Sequence, residues 1–332
     1  MNRFTKASLF ASTVMAGAMI ASPALAQDAD VSTEETAESE AIVVTGSRIT
    51  NPNLELSSPV SVVSADDIAF QQPVSVEQVL RQLPSAVPSI GAQTNNGNNG
   101  SARINLRGLG TNRNVVLLNG RRVTPRDTDA VVDLNVIPVA LLQRVDVLTG
   151  GASTVYGADA ISGVVNFITR DNFDGFDARF AQGITEEGDG ENFRADLTMG
   201  ASFDDGRGNA VLNFSYVKTN PVLQGDRDFS LVSLSSVTGN PEGSPTAVPA
   251  SISFPFIGRV TPDGQFAAGA QNNFNFNPIN LFQTPQDLYS IYTQANYEIT
   301  DGVEAYAEGM YVKSVVEVNL AQSGSFGNTV TT

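Results

Sequence analysis

Between residues 193 and 203 apolar and polar side chains alternate. Phe193, Ala195, Leu197, Met199, Ala201 and Phe203 share one parity, and Arg194, Asp196, Thr198 and Ser202 hold the other. Period two is the mark of a β-strand, because successive side chains leave opposite faces. Asp204-Asp205-Gly206-Arg207-Gly208 reads as a tight turn, after which Ala210, Leu212, Phe214 and Tyr216 oppose Asn213 and Ser215. The pattern returns with Tyr289, Ile291, Ala295, Tyr297 and Ile299 against Ser290, Gln294, Asn296 and Glu298. Thr300-Asp301-Gly302 then turns the chain into Val303–Lys313. Strands of about ten residues with one apolar and one polar face fit a soluble half-buried sheet or the wall of a membrane barrel. Two features favour the barrel. Tyr and Phe recur near strand ends, as an interfacial girdle requires, and connections alternate in length. Residues 204–208 and 300–302 are tight, whereas 184–190 and 219–287 are open. That is the rhythm of short periplasmic turns and long extracellular loops; in a soluble sandwich, so long a structureless connection counts against the assignment. These few strands cannot close a barrel, and lipid does not tolerate an open edge. The sequence is therefore expected to be a truncated barrel that does not assemble alone.

The N-terminus is an address. Arg3 and Lys6 precede an apolar stretch from Ala7 to Ile20, Pro23 ends it, and Ala24-Leu25-Ala26 is a small-x-small cleavage site. This reads as a secretory signal peptide over 1–26, cleaved after Ala26. Charge then divides the remainder. Residues 27–41 hold six acids and no base, which makes them a disordered tether within 27–58. From Ile42 to Arg170 ten arginines face nine acids; from Asp171 onward seven bases face twenty acids. The step near 170 marks a domain boundary between 59–170 and 171–332.

The middle region reads as a small mixed α/β unit. Pro59–Ser64 is a β-branched run, Ser64 to Asp67 supply caps for a helix beginning near Ile68, and Val74–Leu83 is a second helix stopped by Pro84. Gln93–Ser101 is a polar loop. Short strands follow at Arg103–Arg107 and Val115–Leu118. Asn119-Gly120 then turns the chain into Arg122-Val123 as a hairpin. Pro138–Leu142 is a helical turn, and strands close the unit at Val145–Leu148 and Val164–Thr169.

The chain has no histidine and no cysteine, which excludes imidazole or thiol relays, zinc ribbons and iron–sulfur clusters. No catalytic constellation, metal site or cofactor is read. A net charge of −16 excludes basic nucleic-acid binding. Gly108-x-Gly110-x-x-Arg113 lacks the third glycine of a dinucleotide fingerprint. An enzyme would have to be a carboxylate-based surface hydrolase built from Asp and Glu alone, and scattered solvated acids are the better account of those residues.

Several motifs carry a resemblance. They are Ile104-Asn105-Leu106-Arg107-Gly108-Leu109-Gly110, Val115 to Val123 around Asn119-Gly120-Arg121-Arg122, and Asp133-Leu134-Asn135-Val136-Ile137-Pro138. Arg144-Val145-Asp146-Val147-Leu148-Thr149-Gly150-Gly151-Ala152-Ser153 and Tyr156-Gly157 through Asn166 complete the series. Together they resemble the plug of TonB-dependent outer-membrane receptors over about residues 40–170. The resemblance implies an α+β plug followed by an antiparallel transmembrane β-barrel, of 22 strands when complete, with the plug filling its lumen. It implies an outer-membrane location and import of a scarce ligand driven through TonB. Iron–siderophore, cobalamin and oligosaccharide all fit, and outer-membrane lipid is the surrounding partner. A passive porin is the competing transport reading, but a porin needs neither plug nor TonB box.

Ile42-Val43-Val44-Thr45-Gly46 looks like the TonB box, an exposed extended segment that adds to a partner sheet by backbone hydrogen bonds; the other reading makes it the plug's first strand. Arg107 lies where a family arginine pairs with barrel-wall carboxylates, and a salt bridge within the plug is equally open. Many members carry a second arginine where this chain has Thr149, so Arg144 is a substitute candidate for plug–barrel contact. Gln93, Asn95, Asn96, Asn98 and Asn99 form a candidate ligand-facing apex. Phe274 and Phe276, set among amides in the long loop, suit a sugar. For both groups ordinary polar-loop packing is the alternative.

Overall fold

The computed structural model describes residues 60–319 apart from 72, 96–98, 245, 253–256 and 270. The chain divides into two units, Met1–Ile42 and Val43–Thr332, and every described residue lies in the second. The signal peptide, the tether, the TonB box at Ile42–Gly46, and Asn96 and Asn98 of the apex loop lie outside the described residues.

A five-stranded mixed sheet comes first. β1 (Val60–Ser64) leads into α1 (Ala65–Gln71) and α2 (Val76–Leu80). Then come β2 (Asn114–Leu118), β3 (Arg121–Arg122), β4 (Leu142–Thr149), the single turn α3 (Ser153–Tyr156) and β5 (Gly163–Thr169). The spatial order is β1-β4-β5-β2-β3, antiparallel throughout except for the parallel pair β2–β5. Both faces of its centre are covered, as parallel pairing demands. Val116, Leu118, Val145, Val147, Val165 and Phe167 pack toward α2 and the 3-10 turns at Leu134–Val136 and Val139–Leu141. Val115, Leu117, Leu148 and Val164 pack on the other side against Ala152 and Ala160. The β2–β3 hairpin turns through Asn119 at φ 52° and Gly120 at φ 75°, the left-handed pair that a two-residue type I′ turn requires. Gly163, at φ 148°, sits so close to β4 that a Cβ there would lie 2.2 Å from the Leu148 carbonyl oxygen.

Three details of this unit differ from the sequence expectation. Helix α1 starts at Ala65, not near Ile68, because Ser64 and Asp67 cap each other: Asp67 N–H donates to Ser64 Oγ and Ser64 N–H to Asp67 Oδ2, each at 3.2 Å. Helix α2 covers Val76–Leu80 rather than Val74–Leu83. The Val74 amide is taken by the Gln78 side chain, and residues 82 and 83 close i→i−3 turns before Pro84. Arg103–Arg107 is not a strand and makes a single bridge, Ala86↔Leu106. Its partner stretch lies between Pro84 and Pro88, neither of which donates to a ladder.

The second sheet is a long antiparallel meander: β6 (Gly175–Gly183), β7 (Asn192–Phe203) and β8 (Gly208–Thr219), then two strands after the long connection. That connection is not structureless. It contains β9 (Val222–Leu223), the small three-stranded sheet β10 (Ser251–Ile252), β11 (Gly258–Val260) and β12 (Phe266–Ala268), and β13 (Leu281–Gln283) paired with β9. Asparagine side chains organise it. Asn272 donates to the carbonyls of Pro249 and Val260, Asn275 to Leu231, and Asn277 to Ser230. The meander resumes with β14 (Gln286–Thr300) and β15 (Val303–Val316), giving the order β15-β14-β8-β7-β6.

Burial in this sheet is inverted relative to a soluble protein. The buried residues of β7 are Arg194, Asp196 and Thr198, whereas Phe193, Met199 and Phe203 on the other parity are exposed. Asn209 and Asn213 of β8, and Gln286 and Gln294 of β14, are likewise buried. The polar face lies against the domain of the five-stranded sheet, where Val211 and Tyr292 join its core. No helix among the described residues is long and apolar enough to cross a membrane; the apolar band belongs to strands.

Candidate functional site at the seam between plug and wall

Three groups of side chains join the small domain to the inner face of the large sheet. The first is at the β2–β3 hairpin tip. Asn119 Oδ1 accepts the Thr169 N–H at 3.0 Å, and its Nδ2 donates to Thr169 Oγ1 at 3.0 Å and Glu308 Oε1 at 3.1 Å. Thr169 and Tyr292 hydroxyls both donate to Gln294 Oε1, at 2.9 and 3.1 Å, while Gln294 Nε2 donates to the Arg170 carbonyl at 2.6 Å. Beside them Arg121 pairs with Glu308 at 2.6 Å and lies over the Tyr306 ring, 3.8 Å from its centroid. Burial works against the Arg121 charge, but the Glu308 hydrogen bond and charge outweigh it and raise its pKa above the ordinary guanidinium value. The turn chemistry that makes the hairpin therefore also presents Asn119 and Arg121 to the wall.

The second group is Arg194. Its Nε and Nη2 grip Asp196 two residues along the same face, at 2.5 and 3.0 Å, and Nη1 donates to the carbonyl of Pro73 at 3.0 Å. This is a buried, bidentate ion pair reaching from the wall to the backbone that opens α2. A cavity of about 470 Å³ lies beside it, between α1 and strands β6–β7, with Arg170, Arg179 and Asp66 on its rim.

The third group ties the apex loop to the start of the barrel strands. Gln93 accepts the Thr284 N–H on Oε1 at 3.1 Å, and its carbonyl accepts the Thr284 hydroxyl at 3.0 Å. Asn95 exchanges hydrogen bonds with the Asn319 backbone at 2.6 and 3.0 Å and reaches Asn280 at 3.5 Å. Glu77 braces this loop from below, accepting the Ala92 N–H at 3.1 Å and pairing with Arg81 at 2.6 Å. Burial nevertheless pushes the Glu77 carboxyl above its ordinary range.

The candidate residues separate accordingly. Gln93 and Asn95 serve as wall contacts of the apex loop; Asn99 is exposed, accepting from Ser101 and Arg126, on a cavity of about 430 Å³ shared with Asp133, Ser314 and Val316. Phe274 and Phe276 are half-buried. Phe276 precedes the 3-10 turn Asn277–Ile279, whose end, Asn280, meets Asn95. Arg107 is exposed, in a turn at φ 58°, with no salt bridge to a described residue. Arg144 pairs with Asp146 of its own strand at 3.2 Å. Of the arginines at the seam, Arg121 and Arg194 make the close contacts and Arg170 lies 3.9 Å from Asp177 of β6; sequence reasoning missed all three as contact residues. Arg194 had a signal: Asp196, at i+2, must share its face.

Residues 52–164 match the family model described as TonB-dependent Receptor Plug Domain. The chain carries a TonB-dependent receptor plug. Solved structures extend the likeness into the wall. The ferric enterobactin receptor PfeA of Pseudomonas aeruginosa, in complex with enterobactin, aligns with a TM-score of 0.54 at 17% identity, covering 79% of this chain and 34% of that one. The siderophore receptor PirA of Acinetobacter baumannii aligns at 0.52 and 15%, covering 77% and 32%. The chain thus spans about a third of the length of these receptors, and the plug with its antiparallel strands has the fold of their plug and first barrel strands.

Proposed function

We propose that the chain is the plug and opening wall of an outer-membrane receptor that binds a scarce extracellular ligand above the plug. The ligand is then imported with energy delivered through TonB. The inverted burial of the meander carries this reading: a polar inner face seals on the plug while the apolar face is left for lipid. Transport through such a barrel needs the plug to yield, and the seam is hydrogen-bonded and ionic rather than a continuous apolar contact. Ile42–Gly46 is the segment a periplasmic partner would take as an added strand. Of the ligand classes that fit, a ferric siderophore is favoured by the likeness to PfeA, a ferric enterobactin receptor, and PirA, a siderophore receptor. Arg107 and Arg144 remain proposed contacts for wall strands outside the described residues, and Asn99, Phe274 and Phe276 proposed contacts of the outer vestibule.

The test is Val43→Pro in the full-length receptor, with cells offered ferric siderophores, cobalamin and oligosaccharides in turn. Binding of the recognised ligand at the cell surface is expected to persist while uptake stops, as it also should when the proton-motive force is collapsed. Normal uptake by the variant would contradict the assignment of the TonB box.

A further inference from the structure

The outward parity of the meander is almost free of charge. From β6 to β15 it carries Phe, Ala, Gly, Leu, Met, Ile, Val, Thr and Tyr with Gln182 at the rim, and its only charged strand residues are Lys218, Asp287 and Lys313. All three fall within three rungs of one end. Lys218 stands opposite Asp287, and Tyr289 stands opposite both Tyr216 and Lys313. These are the rungs of the aromatic cluster in which Phe193 and Tyr216 rings lie 6.3 Å apart and Tyr216 and Tyr289 rings 4.8 Å apart. They lie at the end from which the long connections leave. Lys218 and Lys313 are also the only lysines after the N-terminal stretch that holds Lys6.

The two lysines differ from the paired arginines of the described residues. Each salt bridge among the described residues is made by an arginine, and neither lysine joins one; both are exposed. Asp287, though in register with Lys218, has its carboxylate engaged by the Tyr216 hydroxyl at 2.8 Å. At the other end of the band the cation is neutralised within the protein: Arg207 pairs with Asp204 at 2.5 Å beside the stacked Phe203 and Tyr297 rings. Two strand spacings and two rungs put the Lys218 and Lys313 Cα atoms ~12 Å apart, which two extended lysine side chains can close onto one headgroup.

We propose that Lys218 and Lys313, framed by Tyr216 and Tyr289, form a binding site for the phosphorylated headgroup of an outer-leaflet lipid. Ammonium groups held at headgroup depth by an aromatic girdle are complementary to lipid phosphate, and a lysine serves as a point charge that needs no fixed geometry. The proposal rests on the outward face being lipid-facing with its long loops outside. It adds a chemical preference that a merely hydrophobic wall would not have.

The test uses the full-length receptor purified from the outer membrane and exchanged into micelles. Retained lipid is counted by native mass spectrometry with diphosphoryl lipid A, with its dephosphorylated form, and with inorganic phosphate as competitor. The phosphorylated lipid is expected to be retained and the dephosphorylated form lost, with free phosphate displacing little. Lys218→Gln and Lys313→Gln should each weaken retention roughly fivefold and together about 30-fold. Arg at both positions should restore it, and Asp287→Asn should strengthen it. Equal retention of both lipids, or an unchanged double variant, overturns the proposal while leaving the barrel reading intact. Recovery of the receptor in the soluble fraction, without detergent, would instead overturn that reading.

Discussion

Arg194 shows how a single side chain can be costly and indispensable together. Its guanidinium and the Asp196 carboxylate are both nearly water-free, so each is tolerated only because of the other and of the Pro73 carbonyl. Arg194→Met is expected to destabilise the plug–wall unit by about 3–5 kcal/mol, because it strands a buried carboxylate. Arg194→Met with Asp196→Leu should recover most of that loss, which denaturation of the complete receptor and both variants would measure. An outer pair behaves differently. Asp189 is gripped by both Arg227 Nη atoms, at 2.5 and 2.9 Å, and the Arg227 and Thr185 hydrogen bonds hold its pKa at about 2, below the ordinary 3.8. A carboxylate with a depressed pKa contributes above its unfolded value and loses that contribution as pH falls through the folded one. The protection factor of residues 184–190, exchange corrected for its intrinsic pH dependence, is therefore expected to stay level from pH 7 to about 4 and to fall only toward pH 2. Asp189→Asn should lower that protection at neutral pH and remove this fall.

Among elements, the wall strands were legible and the loop between them was not. Alternation over 193–203, 210–216 and 289–299 located β7, β8 and β14, and the turns at 204–208 and 300–302 set their pairing, because one-sided burial leaves a strand only one usable register. In the plug, Asn119-Gly120 announced its hairpin, while Arg103–Arg107 misled because β-type composition says nothing of whether a neighbour can donate. The long connection hid its order because its two- and three-residue strands are shorter than any period, and its asparagines bond to carbonyls distant in sequence. The seam was least legible. Asn119 is identified as a turn residue by its neighbours, but only the packed wall shows that Glu308 and Thr169 meet it. The wall makes its own prediction at this scale. Leu197→Arg, midway along β7 on the lipid parity, should cost about 2–4 kcal/mol in equilibrium unfolding from bilayers. Gln182→Arg, at the rim, should cost about 0–1. Equal costs would mean that depth in the band is immaterial.

At the scale of the molecule, two sheets solve opposite problems. The plug sheet buries apolar residues on both faces and could sit in water. The meander hides Arg194, Asp196, Thr198, Asn213 and Gln294 against the plug and turns its phenylalanines and most of its leucines and tyrosines outward, Tyr292 and Tyr306 being the inward exceptions. Neither arrangement explains itself alone: the polar face needs the plug, and the apolar face needs lipid. The sharpest measurement exploits the absence of cysteine from these 332 residues, any cysteine elsewhere in the receptor being replaced by serine. Single cysteines placed in turn at residues 193 to 203 of the full-length receptor would be spin-labelled in the outer membrane and tested for collision with oxygen and with a water-soluble quencher. Labels at 193, 195, 197, 199 and 201 are expected to meet oxygen and not the aqueous quencher, and labels at 194, 196 and 198 to meet neither freely. Aqueous access at the odd positions, or no alternation at all, would contradict a lipid-facing wall sealed on a plug.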